Sequence, residues 1–167
     1  LNIEKSDLLE VEKNVCDKVG FVISDLVLEA ESKDYQACRF ELNGRKIICR
    51  SAKITPKKVG YFVTFWKRKK GEVIEPFNEN DIFDFYIINL RTGTDFGQFV
   101  IPKAELIKRG IISTSEKEGK RGFRVYAPSD IVTSKQAEKT QKWQRNYFLK
   151  IDKNLDFDKF SKLYDDF

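Results

Sequence analysis

The chain has 167 residues, of which 34% are charged and 41% hydrophobic, with a formal net charge of +5 and no histidine. That length suits one domain with its own core. Without histidine there is no imidazole general base or metal ligand, and every Ser–His or Cys–His catalytic pair is excluded.

Cys16, Cys38 and Cys49 form no CxxC pair and are odd in number, so buried reduced thiols are expected instead of a disulfide framework or a zinc site. No apolar run approaches the roughly 18 residues of a membrane span. No signal-peptide pattern opens the chain, and a cytoplasmic protein without a membrane partner is expected. The charge is uneven. Residues 152–167 hold five Asp and three Lys and carry −2, which leaves +7 on residues 1–151. A basic body favours polyanionic partners.

In chain order, Ser6 is positioned to cap a helix whose apolar stripe is Leu8, Leu9, Val11, Val15 and Val19, up to Gly20. The following "FVISDLVLEA" fits either more helix or a strand. "CRFELNGRKIICRSAKI" alternates apolar and polar residues around Asn43-Gly44, which predicts a hairpin with a type I′ turn. "GYFVTFWKR" predicts a third strand, with Tyr61, Val63, Phe65 and Lys67 on one face and Phe62, Thr64, Trp66 and Arg68 on the other. "DIFDFYIINL" is apolar enough for a central strand, and "GQFVI" is a fifth strand. Pro102 opens a short helix that Gly110 stops. A basic loop, "KEGKRG", leads into the strand "FRVYA". Ser134 caps a last core helix through about Phe148, with Lys135, Lys139, Lys142 and Arg145 as a solvated face and Trp143 as a core or rim aromatic.

This order predicts an α+β or mixed α/β fold with a central, mostly antiparallel or mixed sheet flanked by helices. Residues 1–151 are read as a single basic domain, and residues 152–167 as an acidic tail with room for a short helix.

The stretch 45–71, "RKIICRSAKITPKKVGYFVTFWKRKKG", holds ten Lys and Arg and no acid. With "GKRGFR" at 119–124 it supplies the candidate phosphate contacts: Arg50, Lys53, Lys57, Lys58, Lys67, Lys69, Lys120, Arg121 and Arg124. Backbone amides near Gly119 and Gly122 are expected to add an anion cradle.

Glu41, followed ten residues later by Ser51-Ala52-Lys53 on the partner strand, resembles the spacing of the PD-(D/E)xK, or restriction-endonuclease-like, fold. That resemblance implies nuclease-like topology and makes Glu12, Glu41, Ser51 and Lys53 the catalytic candidates. Ser51 stands where a second carboxylate is needed to hold magnesium, so Glu10, Glu12 or Asp84 would have to replace it. A cofactor is expected only if the chain is a nuclease.

Four blocks, "CRFELNGRKIICRSAKITPKKVGYFVTFWKR", "GQFVIPKAELIKRGIIS", "GKRGFRVYAPSD" and "SKQAEKTQKWQRNYF", resemble the MepB family. Some members of that family are encoded beside a multidrug efflux pump and its repressor. The resemblance implies a small cytoplasmic bacterial protein and gives no reaction. Three functions follow as expectations. The first is DNA or RNA binding through phosphates, with weak sequence preference. The alternatives are a divalent-metal phosphodiesterase and a regulatory protein-interaction module linked to an efflux operon.

Overall fold

The computed structural model describes residues 7–11, 15–68 and 71–165. Ser6, Glu12 and Lys69 lie outside them. Helix α1 (Asp7–Val11) and the short α2 (Asp17–Val19) lead to Gly20. The ambiguous segment is an edge strand, β1 (Ile23–Leu28), which leaves Leu26, Val27 and Leu28 exposed. Its register shifts between Ser24 and Val27, where Asp25 adopts a φ of 51°. β2 (Cys38–Leu42) and β3 (Arg45–Ser51) form the expected hairpin. Asn43 and Gly44 have φ of 49° and 78°, the positive pair a type I′ turn requires.

The chain then leaves the sheet through β4 (Lys53–Ile54), β5 (Tyr61–Thr64), β6 (Trp66–Lys67) and β7 (Glu75–Pro76). It returns as β8 (Phe85–Thr92) and β9 (Asp95–Pro102), followed by α3 (Lys103–Lys108) and β10 (Gly122–Val125). α4 (Lys135–Gln144), β11 (Phe148–Lys150) and α5 (Phe157–Asp165) complete it.

Six strands form the main sheet, in the order β1-β2-β3-β8-β9-β11. Only the β3–β8 pair is parallel; the other neighbours are antiparallel. Parallel neighbours cannot be joined by a tight turn. Here the long crossover between them carries β4 and β5, which with β10 build a second sheet in the order β10-β5-β4. The fold is therefore mixed α+β around a mixed sheet, as the order of elements implied.

Strand alternation divides two cores. Ile47, Cys49, Phe85, Ile87 and Val100 face Val11, Val15, Phe160 and Leu163. Ile48, Tyr86, Ile88, Phe99 and Ile101 face Tyr61, Val63, Phe65, Phe123 and Val125 of the second sheet. The predicted parity of "YFVTF" holds: Tyr61, Val63 and Phe65 are buried, and Phe62 and Thr64 are not. Each fully buried Ile or Phe contributes roughly 1.5–3 kcal/mol relative to exposure. All three cysteines are buried thiols.

Two differences from the sequence reading matter. The last core helix stops at Gln144 and, after a 3₁₀ turn, gives way to β11, which pairs with β9 through Phe148↔Phe99. The acidic tail contributes α5, whose Phe160, Leu163 and Tyr164 are buried in the first core, closing that face of the sheet. Among the described residues, no helix is long and apolar enough to cross a membrane.

Candidate nucleic-acid interface

The nuclease-like constellation does not assemble around Glu41. Glu41 sits opposite Lys46 in the hairpin. Lys53 lies seven residues further along, in β4 of the second sheet. Asp84 accepts from the Lys46 backbone N–H at 2.8 Å, also away from Ser51. The acid that reaches Ser51 is Asp7: the hydroxyl donates to Asp7 Oδ2 at 2.6 Å. Arg91 takes the other oxygen at 2.8 Å and also pairs with Glu10 at 2.7 Å. Asp7 first, and Glu10 second, raise the Arg91 pKa. Gln36 closes the group, accepting from the Asp7 N–H at 3.1 Å. Asp7 thus spends its oxygens on a hydroxyl and a guanidinium. Among the described residues, no three His, Cys, Asp or Glu converge as a metal-binding group.

Several basic candidates are already engaged. Arg50 is 1% exposed. It pairs with Glu29 and donates to the Cys49 carbonyl at 2.9 Å, so it cannot reach a phosphate at the surface. Strand parity turned it inward, and Glu29 made its burial tolerable. Lys67 is held by Asp81 at 2.6 Å and Glu75 at 3.5 Å. Lys53 lies 3.6 Å from Asp34 and over the Tyr35 ring. Arg121 pairs with Glu118 at 2.9 Å and reaches the Ile74 carbonyl. The amides of Gly119 and Lys120 donate to Ser113 Oγ and the Ile111 carbonyl at 2.8 and 2.9 Å, so they make no anion cradle.

Of the remaining candidates, Lys120 and Arg124 line a cleft of about 660 Å³ between the end of α3, β10 and α4. Its lining includes Arg109, Lys120, Arg124, Lys135 and Lys139, with Phe123, Tyr126 and Trp143, and among the described residues no carboxylate. Two glutamines fix α4 against β10. The buried Gln144 amide donates to the Arg124 carbonyl at 3.0 Å and accepts from the Tyr126 N–H at 2.9 Å, bonding to β10 as a neighbouring strand would. Gln141 donates to the carbonyls of Ala127 and Asp130, both at 2.8 Å. Ser134 caps α4, accepting from the Ala137 N–H at 3.1 Å.

Within the cleft, the cations differ. Arg109 donates Nε to Glu105 at 2.7 Å and lies over Trp143 at 5.0 Å, which holds its guanidinium in one orientation. Arg124 ties the wall to the loop bearing Lys57 and Lys58, donating to the Val59 carbonyl at 3.0 Å and to Thr55 Oγ1. Lys120, Lys135 and Lys139 are exposed, and none has a carboxylate within ion-pairing distance among the described residues. The exposed Lys57 and Lys58 lie beyond Arg124 on the same loop.

Of the sequence candidates, the cleft brings together Lys120 and Arg124, with Lys57 and Lys58 alongside. Sequence reasoning missed Arg109, Lys135, Lys139 and Trp143 as partners in one site. The i,i+4 spacings of Glu105–Arg109 and Lys135–Lys139 were the only local signal.

The molecule is thus a small α+β protein on a mixed sheet with a basic cleft beside it. The MepB-like family matches residues 29–150, and the chain belongs to that family. A crystal structure of MepB superimposes with a TM-score of 0.77 at 33% identity, covering 90% of this chain and 99% of that one. The bacterial homing endonuclease I-Ssp6803I aligns at a TM-score of 0.42 and 15% identity, over 84% of this chain and 91% of that one. At that distance the likeness carries no residue-by-residue correspondence. Comparison with curated proteins gives no match.

Proposed function

We propose that this protein binds DNA or RNA through phosphate contacts, with weak sequence preference, in the cleft between α3, β10 and α4. One observation carries the reading: among the described residues, five cations and no carboxylate line that cleft. Phosphate contacts of this kind position a nucleic acid without reading its bases. The cleft presents lysines on flexible stems and few fixed donors for base edges, which favours tolerance of sequence. The polar group at Ser51 supports no cleavage step, because Asp7 is committed to Ser51 and Arg91.

The test is fluorescence anisotropy with short labelled oligonucleotides at low salt. The parent should bind. A Lys120→Ala, Lys135→Ala, Lys139→Ala variant should lose at least ten-fold in affinity, about 1.4 kcal/mol. Full affinity in that variant, with its fold intact by circular dichroism, would refute the cleft as the site.

A further inference from the structure

We infer that the cleft selects single-stranded over double-stranded nucleic acid, an inference that rests on the binding function proposed above. Size separates the two forms. A cleft of about 660 Å³ falls within the roughly 300–1,000 Å³ typical of sites that enclose a small ligand, the scale of a nucleotide. A duplex can lie across its rim but cannot enter it.

The cleft's chemistry separates them too. The exposed lysines Lys120, Lys135 and Lys139 edge the cleft, while Phe123 and Ile111 are buried and Trp143 and Tyr126 half-buried in its walls. A duplex presents phosphates and sugars outward and keeps its bases stacked, so it would use the lysines and leave the aromatic walls idle. A single strand can turn an unstacked base inward while its backbone stays at the rim, the arrangement that combines a charged groove with stacking platforms.

Arg109 adds a fixed plane to the cleft. Its Nε is committed to Glu105 and its plane lies over Trp143. The pair forms a pre-oriented planar surface, and guanidinium planes stack on unpaired bases as aromatic rings do. Helix α4 cannot easily swing aside to widen the cleft for a duplex, because Gln144 and Gln141 bond it to the β10 edge and the loop after it.

Tryptophan fluorescence gives a direct readout, since the chain has two tryptophans, Trp66 and Trp143. In a Trp66→Phe background Trp143 is the sole reporter. An oligonucleotide as a single strand, and the same sequence as a duplex, are titrated against this protein. The single strand should bind at least ten-fold tighter and change the Trp143 emission at saturation. Adding Trp143→Ala should cost the single strand roughly ten-fold, the scale of one lost base stack, and leave the duplex unchanged. Trp143→Phe should retain the preference.

Equal or tighter binding of the duplex overturns the inference while leaving nucleic-acid binding intact. So does saturation by the single strand without any change in Trp143 emission. Failure of both oligonucleotides to bind overturns the inference and the proposed function together.

Discussion

Glu29→Ala should destabilise this protein far more than its partly exposed position suggests, because of the charge it leaves behind. Arg50 is 1% exposed, and among the described residues its only ion-pair partner is Glu29, whose side chain is 19% exposed. It also donates to the Cys49 carbonyl at 2.9 Å, and its Nε has no hydrogen-bond partner among the described residues. Removing one member of a buried pair costs about 3–5 kcal/mol, since the remaining charge is neither solvated nor compensated. Water entering the space left by Glu29 offsets part of that, so about 3 kcal/mol is expected.

Arg50→Met runs the other way. It removes the buried charge and keeps most of the volume, while Glu29 retains Arg39 at 2.6 Å. Replacement of a buried charge by an apolar side chain of similar size is often neutral or stabilising. A change within about 1 kcal/mol is expected, and the Glu29→Ala, Arg50→Met double variant should be more stable than Glu29→Ala alone. Arg39→Ala breaks an exposed pair, worth about 0.2–1 kcal/mol. Urea titration followed by circular dichroism measures all four, provided the slope with denaturant is unchanged. A loss below about 1 kcal/mol for Glu29→Ala, or an equal loss for Arg50→Met, would refute the reasoning.

Three further outcomes are checked in the same way. Gln144→Ala strands the Tyr126 N–H and the Arg124 carbonyl where α4 meets β10, and should cost roughly 2–3 kcal/mol and weaken oligonucleotide binding; a fully stable variant would show that α4 does not depend on that clamp. Gly119→Ala places a Cβ 2.5 Å from the Ile111 carbonyl oxygen and 2.6 Å from the Ser113 N, backbone atoms that cannot yield cheaply, so a loss above roughly 1 kcal/mol is expected on thermal melting. The third is alkaline. Its hydrogen bond with Cys38 and its burial push the Cys49 thiol well above its ordinary 9.0, so the folded protein keeps a proton that the unfolded chain releases. That contribution is present below pH 9.0 and is lost as pH rises above it. Burial drives Tyr86 and Tyr164 the same way from 10.0. Cys49→Ala should flatten the first part of the decline, and an unchanged slope would count against it.

Local pattern carried the sheet further than it carried the site. Alternation and Asn43-Gly44 were enough to place the β2–β3 hairpin, and the apolar density of "FYIINL" marked β8 as central. β11 escaped because three residues at the end of a helical pattern give no period of their own; pairing with β9 makes them a strand. The inward turn of Arg50 was readable from parity, but its partner, 21 residues away, was not. Ser51 and Asp7 meet across 44 residues, at a distance no motif spacing encodes. The cleft is the clearest case. Arg109, Lys120 and Lys139 come from three elements that are ordinary in isolation, and only the packing of α4 on β10 makes them neighbours.

The most direct measurement of the central claim is the salt dependence of single-strand binding. Each phosphate contact adds about −0.7 to the slope of log affinity against log salt. With Lys120, Lys135 and Lys139 in the cleft and without an ion-pair partner among the described residues, a slope near −2 is expected for the parent. Each single Lys→Ala should reduce it by about 0.7, and the triple variant should approach zero, while Arg50→Met leaves it unchanged. A slope that stays the same in the triple variant, or binding indifferent to salt, would contradict the claim that nucleic acid is held in this cleft by its phosphates.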